Sequence, residues 1–354
     1  MKNNNKKISY FINWFWFQYD FLNRYLWKMF DFEIKYPNIK KYTPGWKYIP
    51  LNFFLLKKLY KNNKIQKYNI VHFNNTENFL NFKKNDNQIS IAESHGFDFW
   101  VNYKWLVKDE KNIFKYIIWN IINFLIWWKI KKKIQEFDIY YCSTPDMLEP
   151  LKKYVRKDVK WLPNPINTNI FNPEGSIIKL EWSPACFFPT RLHWDKKPEY
   201  AIDIFKKYIK PNFPNATLHL LNQWFELNKY KKILLDKNTY FWHDFMDKET
   251  LASKIRWSDL CFWDFSIWGL SLMPMQIMAC KKPIITYDKH EIVKVEKENL
   301  LNLTKKILED RNFRNDYIEK NYNHIIKYHT EDAISKIHLE NLKPILKEKL
   351  NINI

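Results

Sequence analysis

Arg191 and Lys196 have the residue types and the spacing that suit a doubly charged phosphate ligand. They lie after an apolar run and before Pro198, a residue that favours the first turn of a helix. A guanidinium offers a rigid fork of donors and an ammonium offers a mobile point charge, so together they can neutralise a diphosphate. They would also stabilise a diphosphate that leaves during a reaction, because its charge grows in the transition state. The alternative is that both are ordinary surface cations at the start of a helix.

Residues 264–283 form a second segment that suits phosphate binding. An apolar run precedes Asp264, a loop with a glycine follows, and the patterns of a helix and a buried strand complete the segment. The first helical turn would present free backbone N–H groups and the positive end of the helix dipole, which together bind phosphate. We expect the donor-side contacts to come from Asp264, Gly269, Leu270 and Ser271.

Both segments resemble motifs of the GT-B glycosyltransferases, in particular of the large retaining family 4, or group 1. Residues 191–197 resemble R-x-x-x-x-K-G. Residues 264–283 resemble E-G-x-G-L-x-x-L-E-A-M-A-C-G-x-P, and the matching residues are Gly269, Leu272, Met278, Ala279, Cys280 and Pro283. Trp268 and Gln276 stand where this pattern has glutamate, and Ser271 stands where it has its second glycine. An inactive member of the group is therefore one alternative.

The resemblance continues in the first half of the chain. Residues 93–98 resemble the H-G-x-D turn that faces the cleft in this superfamily, which implies that His95 lies near the reacting sugar. Gly96 and Asp98 would belong to the acceptor side, as would Asn13 in the loop after the first predicted strand. A lone histidine is more often structural, and Asp98 could instead cap a helix.

The resemblance implies transfer of a glycosyl unit from a UDP- or GDP-sugar to an acceptor hydroxyl, with retention of configuration. It implies that Arg191 and Lys196 neutralise the departing diphosphate and that the amide oxygen of Gln276 binds the ribose. The predicted catalytic residues are His95, Arg191 and Lys196. No D-x-D motif lies at a predicted strand end, so we expect neither a metal nor another cofactor. The expected acceptor is a glycan, a lipid-linked molecule or a small molecule.

The elements that must position these residues alternate between strands and helices. Short apolar runs predict buried strands, and helical patterns with short connections separate them, which predicts parallel, doubly wound sheets. The alternation occurs twice, so we expect an α/β protein with two Rossmann-like domains, and the resemblance implies a GT-B fold in which they face a central cleft. The expected parts are an acceptor domain at 1–162, a nucleotide-sugar domain at 163–325 and a last helix at 326–354 that packs on the first domain.

Composition restricts the partners and the location. The chain of 354 residues has a formal net charge of +20, which favours anionic partners such as nucleic acid or anionic lipid. The lysines are spread along the chain, so we expect no nucleic-acid partner, and a codon bias explains much of the charge equally well. A basic nucleic-acid or membrane-binding protein remains the alternative from another class. The apolar helical pattern at 113–130 predicts a core helix, or a contact with an anionic membrane.

The cysteines and the start of the chain suggest a reducing compartment. None of the 4 cysteines is in C-x-x-C spacing, which predicts buried thiols without disulfides or zinc. No signal peptide is visible. We therefore expect a cytoplasmic protein with a peripheral contact at the inner face of the membrane as a further option.

Glycine is unusually scarce and tryptophan unusually common. The chain has 4 glycines and 17 tryptophans, whereas about 7% glycine is usual. Several tryptophans occupy positions where turns favour glycine, including Trp263 and Trp268 in the second phosphate segment. We hypothesise that many are UGA codons that the source organism reads as glycine. The alternative is a tryptophan-rich protein with aromatic platforms for sugars.

Overall fold

The computed structural model divides into two compact units, which we describe separately. It describes residues 8–13, 30–35, 65, 67–74, 82–94, 128–190, 192, 196–222, 227–263, 265, 271–286 and 299–353. The first unit consists of Met1–Asn164 and Ile334–Ile354, and the second of Pro165–Ala333. The boundaries therefore fall at 164/165 and 333/334, compared with the expected 162/163 and 325/326.

The first unit contains a six-stranded parallel sheet in the order β2-β1-β3-β4-β5-β6. Its order reverses between β1 and β3, so their carboxyl ends border the switch point where doubly wound sheets bind ligands. The strands are β1 (Ile8–Asn13), β2 (Phe30–Lys35), β3 (Ile70–Asn74), β4 (Ile89–Ser94), β5 (Ile139–Cys142) and β6 (Lys160–Trp161). Helix α1 (Pro145–Tyr154) follows β5.

Along the central strands β1, β3, β4 and β5, alternate side chains belong to two apolar clusters, one on each face of the sheet. Tyr141 of β5 belongs to one apolar cluster, and the neighbouring Tyr140 belongs to the other. The first cluster also includes residues of the last helix, namely Ile334, Leu342 and Leu346.

The second unit contains a five-stranded parallel sheet in the order β11-β10-β7-β8-β9. The strands are β7 (Ala185–Phe188), β8 (Thr217–Leu221), β9 (Tyr240–His243), β10 (Leu260–Phe262) and β11 (Ile284–Ile285). Here the order reverses between β7 and β10. The prediction of α/β units with parallel, doubly wound sheets is confirmed in both units.

Helices cover the second sheet and complete the chain. They are α2 (Pro198–Ile204), α3 (Leu227–Ile233), α4 (Lys248–Trp257), α5 (Leu272–Ala279), α6 (Leu300–Glu309), α7 (Arg311–Tyr328) and α8 (Glu331–Leu350). The helix whose start Pro198 indicates begins as α2, which continues as a π-helical turn at Phe205–Ile209 and a short α-helical turn at Lys210–Asn212. The α4 start is capped by the Asp247 carboxylate, which accepts a hydrogen bond from the Thr250 amide at 2.7 Å.

Among the residues that the structure describes, no helix is long and apolar enough to cross a membrane. The predicted helix at 113–130 lies outside them, except for residues 128–130. The prediction about the cysteines is confirmed, because all four are buried free thiols. Burial raises the pKa of the Cys261 and Cys280 thiols to about 12, which makes them poor nucleophiles.

Candidate functional site

The two predicted phosphate segments begin at neighbouring strand ends. The residues around 191 follow β7, and the residues from 264 onward follow β10. These strands pair directly, with Leu260 opposite Cys186 and Cys261 opposite Phe187. Since the order of the sheet reverses between them, both segments leave the sheet at its switch point. In open α/β sheets this crevice is the usual place for a ligand.

Three contacts join the two segments. The Phe265 amide donates a hydrogen bond to the Lys196 carbonyl at 3.2 Å. The Lys196 ammonium lies 5.6 Å from the centre of the Trp263 ring, and the rings of Tyr200 and Phe265 are 5.7 Å apart. Lys196 is therefore held beside the segment that leads into α5. Arg191, Asp264, Gly269 and Leu270 lie outside the described residues.

The start of α5 leaves polar groups available. Ser271 is the N-cap residue, with φ −84° and ψ 176°, but its side chain makes no capping hydrogen bond. Its hydroxyl oxygen is buried without a hydrogen-bond partner among the described residues. Pro274 lacks an N–H group, so the backbone donors without an intrahelical partner at this end are those of Ser271, Leu272 and Met273. These groups suit an anionic oxygen, and α5 has no acidic residue in its first turn that would compete.

Gln276 lies one turn further along α5 and is partly exposed. Its amide can both donate and accept hydrogen bonds, as binding of a ribose diol requires. A glutamate at this position would accept a charge-assisted hydrogen bond from a ribose hydroxyl, so glutamine predicts weaker binding of a ribose.

Lysines occupy two positions at which the family pattern has glycine. Lys197 follows the candidate cation and has φ 50°, and Lys281 follows α5 and has φ 53°. Left-handed backbone favours glycine because a Cβ atom crowds the following carbonyl. Both positions thus have the backbone conformation that glycine adopts without strain, although lysine occupies them. The Lys281 ammonium also forms an ion pair with Glu319 at 2.6 Å.

An open cavity of about 450 Å³ lies on the outer side of α2, lined by Lys197, Glu199, Tyr200 and Asp203. Two of the four lining side chains are carboxylates, which repel a diphosphate. The Tyr230 hydroxyl and the Lys229 ammonium hydrogen-bond to Glu199 and hold the pKa of that carboxyl below its usual value, so it stays ionised. We therefore place the candidate site at the switch point and not in this cavity.

The acceptor-side predictions concern the first unit. Asn13 is the last residue of β1 and pairs in register with Phe73 of β3, which places it at the switch point of that sheet. His95, Gly96 and Asp98 lie outside the described residues, directly after the end of β4. Within the described ranges, no three His, Cys, Asp or Glu side chains are grouped so that they could hold a metal ion.

Sequence reasoning missed a buried cation in the second unit. Arg256 of α4 is 6% exposed and binds the carbonyl groups of the turn at 170–176. Nothing in the sequence near position 256 marks it, because its partners are about eighty residues earlier in the chain. Arg256 thereby fixes this turn, which lies near the start of the second unit.

Comparison with known proteins supports the fold. No family model matches the sequence, and no curated protein matches it significantly. Sucrose-phosphate synthase from Thermosynechococcus elongatus aligns over 97% of this chain and 100% of its own, with a TM-score of 0.68 and 12% identity. An alpha-glucosyltransferase solved with UDP-glucose and DNA containing an abasic site aligns over 94% and 98%, with a TM-score of 0.55 and 11% identity.

A third similar structure carries a different name. It is a putative UDP-N-acetylglucosamine 2-epimerase from Listeria monocytogenes, which aligns over 98% of both chains with a TM-score of 0.57 and 11% identity. Identities this low carry information about the fold alone. The order of the strands in both sheets and these alignments over nearly the whole chain lead to one conclusion: the chain has the GT-B glycosyltransferase fold.

Proposed function

We propose that this protein is a glycosyltransferase that moves a sugar from a UDP- or GDP-sugar to an acceptor hydroxyl with retention of configuration. One observation carries the proposal: Lys196 contacts Trp263 and Phe265, which follow β10 at the switch point of the second sheet, in the segment that leads to the N-terminus of α5. A side-chain cation and unpaired backbone amides at one crevice suit a pyrophosphate better than any neutral ligand.

In this mechanism the second unit binds the donor and stabilises the leaving group. Arg191 and Lys196 neutralise the diphosphate as the glycosidic bond breaks, and the amides at the start of α5 bind its oxygens. Gln276 orients the nucleoside through the ribose. No metal is needed for this step, because the cations supply the charge. His95 would act on the acceptor side near the transferred sugar.

The donor is tested by thermal stabilisation with a panel of UDP-, GDP- and ADP-sugars and the free nucleotides. We expect one nucleotide series to raise the melting temperature of the wild type. Lys196→Met should weaken turnover about 100-fold, as is typical when one donor to developing charge is lost. The matched control is Lys207→Met, whose side chain is 74% exposed in the π-helical turn that follows α2 and pairs with Asp203. Equal turnover in Lys196→Met and Lys207→Met would remove the proposed role of Lys196.

Gln276 offers a gain-of-function test of the same site. Gln276→Glu restores the charge-assisted hydrogen bond to ribose and should tighten donor binding several-fold, or by about 1 kcal/mol. Gln276→Ala should weaken it. If neither variant changes donor affinity, α5 does not bind the nucleoside.

An incubation without acceptor distinguishes glycosyl transfer from a second candidate reaction. The alternative to be tested is the conversion of a nucleotide sugar without transfer, because a putative epimerase has a similar fold. Incubation without acceptor followed by chromatography of the nucleotide sugars distinguishes the two. An epimerase forms an isomeric nucleotide sugar, whereas a transferase needs an acceptor and releases free nucleoside diphosphate.

The net charge of +20 favours an acceptor that carries anionic groups or lies at an anionic surface. Glycans, lipid-linked acceptors in anionic vesicles and duplex DNA are the arms of an acceptor screen, the last because a similar structure contains DNA. A nucleic-acid acceptor would give a steep loss of transfer with salt. With a small neutral acceptor, the rate of transfer would change little with salt concentration.

A further inference from the structure

A group of exposed lysines lies on the outer side of two helical segments of the first unit. The segments are the helix at 128–134 and α1 with the turn that follows it. Lys129 and Lys132 are exposed in the first segment, and Lys153 and Lys157 are exposed in the second. We call these four residues the lysine surface. None of them belongs to the predicted donor or acceptor site.

The apolar sides of both segments are buried in one cluster. Ile130 and Ile134 of the first segment and Leu151 and Val155 of the second pack there, on one face of the sheet. The four lysines occupy positions between these apolar residues. Each segment therefore buries its apolar side against the sheet and presents its lysines to solvent.

Direct contacts hold the two segments side by side. The Gln135 side-chain amide donates a hydrogen bond to the Val155 carbonyl at 2.7 Å, and the Arg156 guanidinium donates to the Ile134 carbonyl at 3.2 Å. Lys132 precedes Gln135 by about one helical turn, and the second pair of lysines flanks Val155 in the chain. The lysines of both segments therefore border one surface.

The lysine surface carries positive charge without acidic partners. Three other cations of these segments pair with nearby carboxylates, namely Lys133 with Glu136, Lys152 with Glu149 and Arg156 with Asp158. Within the described ranges, no ion pair includes a member of the lysine surface. Positive charge that the protein itself leaves unneutralised favours an anionic partner.

Two exposed aromatic rings lie beside these lysines. Tyr154 is 45% exposed, and the Lys153 ammonium lies 5.0 Å from the centre of its ring. Trp128 is 53% exposed, and the Lys132 ammonium lies 5.7 Å from the centre of its ring. Aromatic side chains next to lysines are typical of residues at the level of lipid headgroups. The positive charge comes from the lysines alone, and it is the same whether position 128 is tryptophan or glycine.

The types of cation favour a lipid surface over a nucleic acid. All four members of the lysine surface act as mobile point charges. The one arginine of these segments, Arg156, is turned inward, because its guanidinium binds the Ile134 carbonyl and the Asp158 carboxylate. Nucleic-acid interfaces rely on arginine forks for phosphates and base edges. Clusters of about four to eight basic residues, by contrast, are typical of proteins that bind anionic lipids.

We propose that the lysine surface binds the anionic headgroups of a membrane and holds the first unit at a bilayer. The lysines attract the headgroup phosphates, and the two aromatic rings lie at the level of the headgroups. The sequence left a membrane contact open for 113–130, and the lysine surface begins at the end of that range. This binding is separate from use of a nucleotide sugar, so it does not rest on the proposed function.

Co-sedimentation of the full chain with vesicles tests the proposal. The probes are vesicles of phosphatidylcholine alone and vesicles in which about one third of the lipid is phosphatidylglycerol. The test variant has glutamine at all four positions of the lysine surface. The matched control has glutamine in place of four exposed lysines of the second unit, and therefore the same net charge: Lys206, Lys232, Lys237 and Lys248. Equal urea midpoints of the two variants show that both keep the fold.

We expect the wild type to bind the anionic vesicles but not the neutral ones, and we expect added salt to weaken the binding. Because each lysine near such a surface adds several-fold to the affinity, the test variant should bind about 30-fold more weakly or worse, and the control should stay within about threefold of wild type. An equal loss in the control would mean attraction by net charge alone and would overturn the proposal. A wild type that does not bind the anionic vesicles, or that binds duplex DNA more tightly than it binds them, would also overturn it. None of these measurements requires turnover, so failure of the proposed function would leave their outcome unchanged.

Discussion

Replacement of Arg256 tests whether one buried guanidinium holds the first turn of the second unit. Its Nε atom lies 2.7 Å from the Ser176 carbonyl oxygen, and Nη1 lies 3.0 Å and 3.2 Å from those of Ile170 and Asn172. Nη2 lies 3.3 Å from the Ser253 hydroxyl. No carboxylate is among these partners, so the interaction depends on the geometry of the fork. Lysine cannot replace it.

The size of the effect follows from these contacts. A hydrogen bond to a charged group contributes about 1.5–3 kcal/mol to stability. Three of the acceptors belong to a turn that water can reach, so Arg256→Met should cost less than the sum of four such bonds. We expect a loss of about 3 kcal/mol, which is more than a hundredfold in the ratio of folded to unfolded protein.

Gly175 makes the test more specific. A Cβ atom at this position would lie 2.4 Å from Arg256 Cζ, so Gly175→Ala must displace the guanidinium. It should cost about 2 kcal/mol in the wild type and much less in Arg256→Met, because the clash is then gone. A double-mutant cycle isolates this coupling.

Urea unfolding of the four proteins of the cycle, followed by circular dichroism, gives the free energies. Arg311→Met, an exposed substitution in the same unit, is the control for loss of one positive charge. A cost for Arg256→Met no larger than that of the control would refute the reasoning. So would strictly additive effects at positions 175 and 256.

Three other predictions concern stability. Lys197→Gly should raise the free energy of unfolding by about 0.5–1 kcal/mol, because position 197 has a left-handed φ of 50°. Lys197→Ala keeps the Cβ atom and should not stabilise the protein. Equal urea midpoints for the two variants would contradict this prediction. Burial and the nearby charge of His243 lower the pKa of His219 to about 4, so its stability contribution is complete above pH 6.5 and is lost as the pH falls through about 4. The loss is at most about 3 kcal/mol, and His219→Phe should flatten the dependence of the urea midpoint on pH between 7 and 4. Trp182 is 61% exposed and has φ 58°, so Trp182→Gly should raise the free energy of unfolding by about 1 kcal/mol. If its codon is UGA, the mass of the protein from its source should show glycine at this position. A mass with tryptophan there contradicts the recoding hypothesis.

Local sequence was enough to predict the architecture and the two segments that follow neighbouring strands of the second sheet. Buried parallel strands are short and apolar, so runs such as 260–262 and 185–189 were recognisable by pattern. The helix at 272–279 followed from its apolar composition and its position between two strands. Because doubly wound sheets place ligands at the carboxyl ends of their strands, the order of motifs alone indicated which loops would meet.

Tertiary structure decided which side chains act together. The hydrogen bond between Tyr10 and His338 joins residues 328 positions apart, and the one between Tyr10 and His72 joins residues 62 positions apart. Each of these residues by itself has the sequence signature of an ordinary core position. Pairing of strands and docking of the last helix bring them within hydrogen-bond distance, and burial then removes the water that would otherwise separate them. Arg256 became significant for the same reason, because its partners are carbonyl groups, which every residue has and no sequence pattern marks.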